Sequence, residues 1–598
     1  MPQVILHGEE VPVIGPPLRQ IISPFGATFG TGEQKRSDLS LAKHFAFEEF
    51  SGGIGVERLE EDGQRDRYND AAGVNAIRGT QLVLETLHTV SATIGAGATP
   101  EVGVIFGGDL YISADDNKVY KWTGSAWSEV DDPSALVTDF VVFMDNDGTD
   151  YLFAAYGTGY MHTSDGATWN DEAQDVDYWA IFDNELIGLD GTAGAIIHDT
   201  TPASSQSWTT KISRVQGTAR GITVFRDQDG APSLWYSTSV GLFQVDWSGA
   251  KSYLIYDYRS TPYANNGKSM REFNGNLIFP VGQEVLAISP QGNVVSLGPD
   301  RDDGLTNTDH GNYVQRILPL QNFLLILNRS STKAAVFLWT GSAWQPHTTG
   351  LTASNFMIHE TDTGTNQPRL WVGNGTSAPI YQALNDQSER KFPFSGQTFE
   401  SSGTWTSYWT SFGFPEIPKL VFSIEIIGRD LTAAEQVKVE MQTDDESAST
   451  EWEVVGVTTG RGRKHTLELG GGQGKQINNL RLRLTLSRGA SPTSATPIVE
   501  AVVMKFLVVP EVRWGWTFVV PIAEDGWKTG EQWAEWLEEI AEEARKGNLE
   551  FYPTGRRDGS RFWVQLTHGP FSIAAYEDLG GVGQTVGGTA QLTVAVPV

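Results

Sequence analysis

Short apolar runs separated by polar, glycine-bearing turns fill the chain from about Gly103 to Leu384. In "GGDLYISADDNKVYKWTGSAWSEV" an apolar run meets a polar turn, and a second run ends at Trp122. A Thr-Gly-Ser turn and Trp127 follow. "NFLLILNRSSTKAAVFLWTGSAWQPH" repeats the same order of events at Trp339 and Trp344. Strand, turn, strand, turn predicts a β-meander. Weaker copies end at Trp169, Trp208 and Trp247, in steps of 42, 39 and 39 residues counted from Trp127. A second landmark keeps phase with the first: "DNDGTDYLF", "RDQDGAPSLWY" and "ETDTGTNQPRLWV" each set an Asp/Gly turn before an apolar-aromatic strand. Four short strands in about 40–45 residues is the period of a β-propeller blade, and about seven such units fit the interval. The hexapeptide WTGSAW then marks equivalent corners five blades apart, with its tryptophans packed between neighbouring blades.

Beyond Leu384 the period stops and longer alternating strands begin. Val437, Val439 and Met441 share one face, and Leu480, Leu482, Leu484 and Leu486 another, as in a half-buried sheet. Near the C-terminus, Trp533, Trp536, Leu537, Ile540, Ala541 and Ala544 recur at helical spacing. Thr529 sits at the N-cap position of that helix and Gly547 at the C-cap position. Its stripe is read as core packing. Strands follow in "LEFYPTG", "RFWVQLTHG" and "AQLTVAVPV". The expected fold is mainly β: residues 1–50 an extended N-terminal arm, 51–390 a propeller of about seven blades, 391–511 a jelly-roll-like β-sandwich, and 512–598 a small α+β domain.

Composition supports this picture. The chain has 65 Gly, 19 Trp, 28 Phe and 17 Tyr, a mix suited to tight turns and pleated aromatic faces. It has no cysteine, which excludes disulfides, thiolate zinc sites and cysteine nucleophiles. A net charge of −30 repels phosphate backbones, so sequence-specific nucleic-acid binding is not expected. The opening "MPQVILHGEEVPVIGPPLRQ" lacks the basic and apolar regions of a signal peptide. No apolar run reaches the roughly 18–20 residues of a membrane helix, so a soluble chain is expected.

Acidic turns raise the question of metal. Asp145, Asp147 and Asp150 cluster in "DNDGTD", yet the twelfth position of an EF-hand counted from Asp145 is Tyr156. Hairpin turns need the same residues, and that is the reading adopted. Asp300, Asp302, Asp303, Asp309 and His310 form a second acidic loop without recognisable ligand spacing. The glycine-rich "LGGGQGKQ" lies between strands with no helix behind it, and reads as a turn. Trp405, Tyr408 and Trp409 offer stacking surfaces for sugars but are read as sandwich packing. Arg214, Arg220, Arg259, Arg271 and Arg369 are the arginines available to a propeller funnel, and their convergence is not legible. No catalytic residue, cofactor site or metal site is assigned.

Three resemblances bear on function. "TSDGATW" resembles the Asp-box turn of sialidase-like propellers, short of one residue between Asp165 and Gly166, and in that family it is a folding element. "GRGRKHTLELGGGQGKQINNLRLRLTLSRGASPTSATPIVEAVVMKFLV" resembles the last strands of a jelly-roll sandwich of the galactose-binding or carbohydrate-binding-module type. The stretch from Phe47 to Leu84 resembles the approach to the first blade in propeller-bearing tail proteins of bacteriophages. The last implies a structural, non-enzymatic virion tail component: a nozzle or hub ring subunit, or a tail-tip or fibre subunit. Its partners would be copies of itself in a ring or trimer, other tail proteins and a host surface glycan. The alternative is a carbohydrate-active propeller protein, a sialidase-like glycoside hydrolase or a lectin.

Overall fold

The architecture is that of a computed structural model. It describes residues 2–22, 28–29, 42–55, 67–77, 79–191, 194–299, 310–320, 323–361, 368–383, 398–412, 418–443, 451–508, 513–522, 530–546, 549–554, 561–568 and 588–595. Seven four-stranded antiparallel sheets occur among them. In chain order they span residues 100–131, 139–172, 178–212, 219–257, 271–298, 313–352 and 357–383, called blades I to VII below. In blades I to VI the first strand is innermost and the strands run outward in sequence order. This is a β-propeller. Blade VII takes its fourth strand from Thr89–Val90, where Ile380 faces Val90 and Tyr381 faces Thr89. Chain from before blade I thus completes the last blade and removes the open edge of the ring.

The repeated tryptophans sit at the turn between the third and fourth strands of their blades. Each reaches back to the blade before. Trp122 and Trp127 pair across that turn with ring centres 5.0 Å apart, and meet Trp371 of blade VII at 5.2 and 5.6 Å. Trp208 of blade III meets Tyr160 of blade II at 5.8 Å. Trp247 of blade IV packs on His198 of blade III at 5.3 Å. Trp344 of blade VI donates its indole N–H to the carbonyl of Leu297 in blade V at 2.6 Å. In the Asp-box-like turn, Asp165 Oδ1 accepts the N–H groups of Ala167 and Thr168 at 2.8 and 2.7 Å and the Thr163 hydroxyl at 3.0 Å. Those backbone and side-chain donors hold the carboxyl well below its usual range, at about 2.

The sandwich is built differently. One sheet orders the strands Glu453–Val457, Gln436–Thr443, Leu480–Ser487, Ser402–Ser407 and Tyr68–Ala72. The other orders Lys464–Glu468, Lys419–Arg429, Ile498–Val508 and Ala42–Phe47, with Lys475–Ile477 beside the second strand. Each sheet therefore ends on a strand from ahead of the propeller. A third sheet of eight strands mixes both chain ends: Glu9–Pro12, Gln3–Leu6, Leu549–Tyr552, Phe562–His568, Gly588–Ala595, Arg513–Ile522, Leu18–Ile22 and Thr28–Phe29. The helix Gly530–Lys546 buries Trp533, Trp536, Leu537 and Ile540 in one core with Val4, Leu6, Val11 and Phe518. Thr529 and Gly547 lie outside the described residues.

The segment read from sequence as an extended arm thus supplies strands to two sheets. Its apolar residues Val4, Ile5, Leu6, Val11 and Val13 are fully buried, most of them in a core shared with residues more than 500 positions away. Phe47, Phe50, Trp405 and the sandwich leucines form one continuous core with Phe273 and Ile278 of blade V and Val314 and Phe337 of blade VI. No helix among the described residues is long and apolar enough to cross a membrane.

Candidate functional site

Near the start of the innermost strand, each blade places one or two polar residues around a common central space. They are Glu101 in blade I, Asp139 in II, Tyr178 in III, Arg220 in IV, Lys268 and Arg271 in V, Arg316 in VI and Asn355 in VII. The space has a volume of about 180 Å³. Innermost strands converge on the propeller axis, so residues in equivalent register face one another from every side.

Arg316 is anchored by backbone rather than by carboxylates. Its Nε donates to the carbonyl of Asn355 at 2.9 Å and an Nη to that of Glu101 at 3.1 Å, tying blade VI to VII and I. The Asn355 amide continues the chain: it accepts from Arg329 and donates to the Glu101 carboxyl. Burial pushes Glu101 upward despite that hydrogen bond and the nearby Arg316 and Arg329. Asp139 accepts the N–H of Trp179 at 2.9 Å and of Phe140 at 3.0 Å, clamping blade II to III. Burial raises it as well. Tyr178 is pushed up to about 12, chiefly by burial and then by Asp177 and Asp139.

Three cations complete the lining. Arg220 donates from one Nη to the carbonyls of Tyr263 and Asn266 at 2.6 and 3.3 Å. Arg271 donates from one Nη to the Met270 carbonyl at 2.8 Å. Lys268 Nζ makes neither a hydrogen bond nor an ion pair with the described residues. Its pKa is lowered by burial first, and then by repulsion from Arg316 and Arg220.

Of the five arginines singled out in sequence, Arg220 and Arg271 meet in this space. Arg259 forks onto Asp257 at 2.9 and 2.8 Å on the outer strand of blade IV. Arg369 lies over the Tyr381 ring at 4.9 Å in blade VII. Arg214 is exposed between blades III and IV. The acidic turn is structural: Asp145 is buried and accepts from Asn146, and from Ala203 and Ser204 of the next blade at 3.3 and 3.0 Å. Asp147 accepts the Thr149 N–H at 2.7 Å, and Asp150 is exposed. Asp300, Asp302, Asp303 and Asp309 lie outside the described residues; His310 is buried, with Nε2 3.1 Å from Asp70 of the sandwich. Trp405 and Tyr408 are buried in the sandwich core, while half-buried Trp409 lies under Arg481 at 5.0 Å. In the glycine-rich turn, Lys475 pairs with Glu453 at 2.5 Å.

Sequence reasoning missed Glu101, Asp139, Tyr178, Lys268, Arg316, Arg329 and Asn355. A signal exists for several of them. From Glu101 to Asp139 to Tyr178 to Arg220 the steps are 38, 39 and 42 residues, the blade period itself. Aromatic and glycine landmarks carry the period most visibly, and these polar residues run in phase with them.

No family model matches the chain, and no curated protein does. Among solved structures it is similar to the extracellular domain of a putative hybrid two component system from B. thetaiotaomicron, with 14% identity and a TM-score of 0.39. That match covers 50% of this chain and 40% of the other, so less than half of the relative's length is spanned. A catalytically inactive virginiamycin B lyase from Staphylococcus aureus gives 8% identity and a TM-score of 0.38, over 50% of this chain and all of that one. YCF48 from Cyanidioschyzon merolae gives 10% and 0.36, over 50% and 98%. Such likenesses bear on neither activity nor substrate.

Proposed function

We propose that this chain is a structural component of a bacteriophage tail, a nozzle or hub ring subunit or a tail-tip or fibre subunit, acting through assembly contacts. The observation that supports this is the way the chain is fastened. Both sandwich sheets and the eight-stranded sheet take strands from residues 3–72, and the sandwich core runs on into blades V and VI. The sandwich and blades V and VI share one continuous core, and a stiff joint of that kind is what a static assembly part requires. Particle mass and symmetry by electron microscopy test it. A ring of three-, six- or twelve-fold symmetry, or attachment to a tail, is expected. A monomer that cleaves a glycoside overturns it.

A second reading, a carbohydrate-active propeller, is favoured by one observation: Arg220, Arg271 and Arg316 meet Tyr178 and Glu101 around the central space. Of its two forms, ligand binding fits better than hydrolysis. A nucleophilic tyrosine needs a base or a lowered pKa, whereas burial pushes Tyr178 up to about 12. Glu101 is engaged by Asn355. Release of sugar from sialosides and other glycosides by the purified chain separates the two forms; the binding form expects none.

A further inference from the structure

We propose that the centre of the propeller is a binding site for a small oxyanion carrying more than one negative charge, of the phosphate or short polycarboxylate class. Such a site is independent of the tail-subunit reading, and it competes with the carbohydrate reading for the same central space. Charge is the first indication. The whole chain has 73 acidic and 43 basic residues, yet the lining of this one space holds Arg220, Lys268, Arg271 and Arg316 against Glu101 and Asp139. The local balance is the reverse of the global one.

The two carboxylates attract those cations but form no ion pair with them. Asp139 spends its oxygens on the N–H groups of Trp179 and Phe140, and Glu101 is held by Asn355. Among the described residues none of the four cations lies within ion-pair distance of a carboxylate. Lys268 Nζ makes no hydrogen bond with those residues, and Arg220 and Arg271 each use a single Nη. Arg220, Lys268 and Arg316 are half-buried and Arg271 is exposed at the rim, so their spare donors are within reach of a ligand entering the space. Burial and the neighbouring arginines already weaken the proton hold of Lys268, and an anion would reverse that penalty.

Size sets the ligand class. With about 30 Å³ as the share of one water in the liquid, a space of about 180 Å³ takes a phosphate or a compact polycarboxylate. The three arginines are held by carbonyls, Arg316 by those of Asn355 and Glu101, Arg220 by those of Tyr263 and Asn266, and Arg271 by that of Met270. A fixed set of donors converging from several blades loses little entropy when an anion arrives.

The test is calorimetric titration of the full chain with inorganic phosphate and, separately, with citrate, each against sodium chloride at equal ionic strength. Saturable binding of either anion is expected. Binding of phosphate alone points to a tetrahedral oxyanion and of citrate alone to carboxylates, and either supports the site. Lys268→Met and Arg271→Met should each weaken binding about 10- to 100-fold, the size of a lost charge-assisted contact. Lys268→Arg should restore most of it, and Lys118→Met, on the surface of blade I, should change nothing. Arg271 is exposed at the rim, so its variant keeps the test usable if Lys268→Met folds poorly. Failure of both anions to bind the wild-type chain beyond chloride overturns the proposal. So does undiminished affinity in both methionine variants.

Discussion

The propeller and the sandwich are made of the same material, antiparallel strands with aromatic faces, and they close in opposite ways. Blades I to VI each take four strands from one continuous run, and only blade VII borrows a strand, the two residues Thr89–Val90 from before blade I. In the sandwich, Trp405 of the strand Ser402–Ser407 faces Ala71, and Val503 of the strand Ile498–Val508 faces Ala46. Those pairings span more than 300 residues of chain. Local pairing leaves a period in the sequence; long-range pairing leaves none. The difference also divides the molecule energetically, because loops must close before non-local strands are rewarded.

The largest effect that can break this comparison is deletion of residues 1–77, which spares Thr89–Val90. It removes one edge strand from each sandwich sheet and four strands from the eight-stranded sheet. Hydrogen exchange should show the sandwich and terminal sheet losing protection while blades I to IV keep theirs. Loss of protection in blades I to IV would mean that the ring depends on its neighbours as much as they depend on the N-terminal strands.

Next in size is a pair of matched cavities. Trp405 is 1% exposed and meets Phe47 and Phe50 edge-on at 5.5 and 5.4 Å. Trp235, 2% exposed, fills the core between blades IV and V. Trp405→Ala and Trp235→Ala should each cost about 3–5 kcal/mol in urea unfolding. Only the first should release residues 42–50 and 68–72 to exchange. If Trp235→Ala releases them too, the two regions unfold as one.

How much is legible in the sequence follows the same division. The blades are readable because Trp127, Trp169, Trp208 and Trp247 repeat in phase, and the structure puts each at the same turn. The helix is readable because Trp533, Trp536, Leu537 and Ile540 repeat at helical spacing, and all four are buried. The role of residues 3–12 is not, since "QVIL" and "EEVP" are too short to reveal a partner more than 500 residues away. The central site is half legible. Arg220 and Arg271 stand among five candidate arginines, but convergence depends on strand register, and an arginine's place in the chain carries no register by itself. At Asp145 three carboxylates in one turn raise the question of calcium but also suit a hairpin turn, and the structure has its oxygens capping backbone of its own turn and of the next blade.

Acid should probe the seam between the two regions. There His88 bridges Glu400 at 2.8 Å and Thr348 at 2.9 Å, and buried Glu85 accepts from Gln382 at 3.0 Å. Burial pushes Glu85 and Glu400 up, but His347 and the Thr86 N–H for the first, and His88 for the second, outweigh it, so both carboxyls sit below their usual range. A lowered folded-state pKa gives stability that is present above the ordinary carboxylate range of about 4 and is lost as pH falls through the folded value. Exchange at Glu85–His88 should therefore rise on acidification below about pH 4, ahead of exchange in the blade cores. Flat protection down to the acid limit would deny that these groups hold the seam.

The smallest effect compares two glycines within blade II. Gly148 and Gly166 both have positive φ, +81° and +70°, in tight turns. A Cβ on Gly148 meets nothing within 4 Å, so Gly148→Ala should cost only the backbone penalty of about 1–2 kcal/mol. A Cβ on Gly166 would lie 1.9 Å from the hydroxyl of Tyr111, in blade I. Gly166→Ala must therefore also displace a buried tyrosine of the neighbouring blade, and should cost more than Gly148→Ala by thermal unfolding. The excess would measure coupling between blades, which local strand pairing does not supply. Equal costs would mean that Tyr111 moves freely and that each blade stands largely alone, making the propeller even more modular than its sequence period implies.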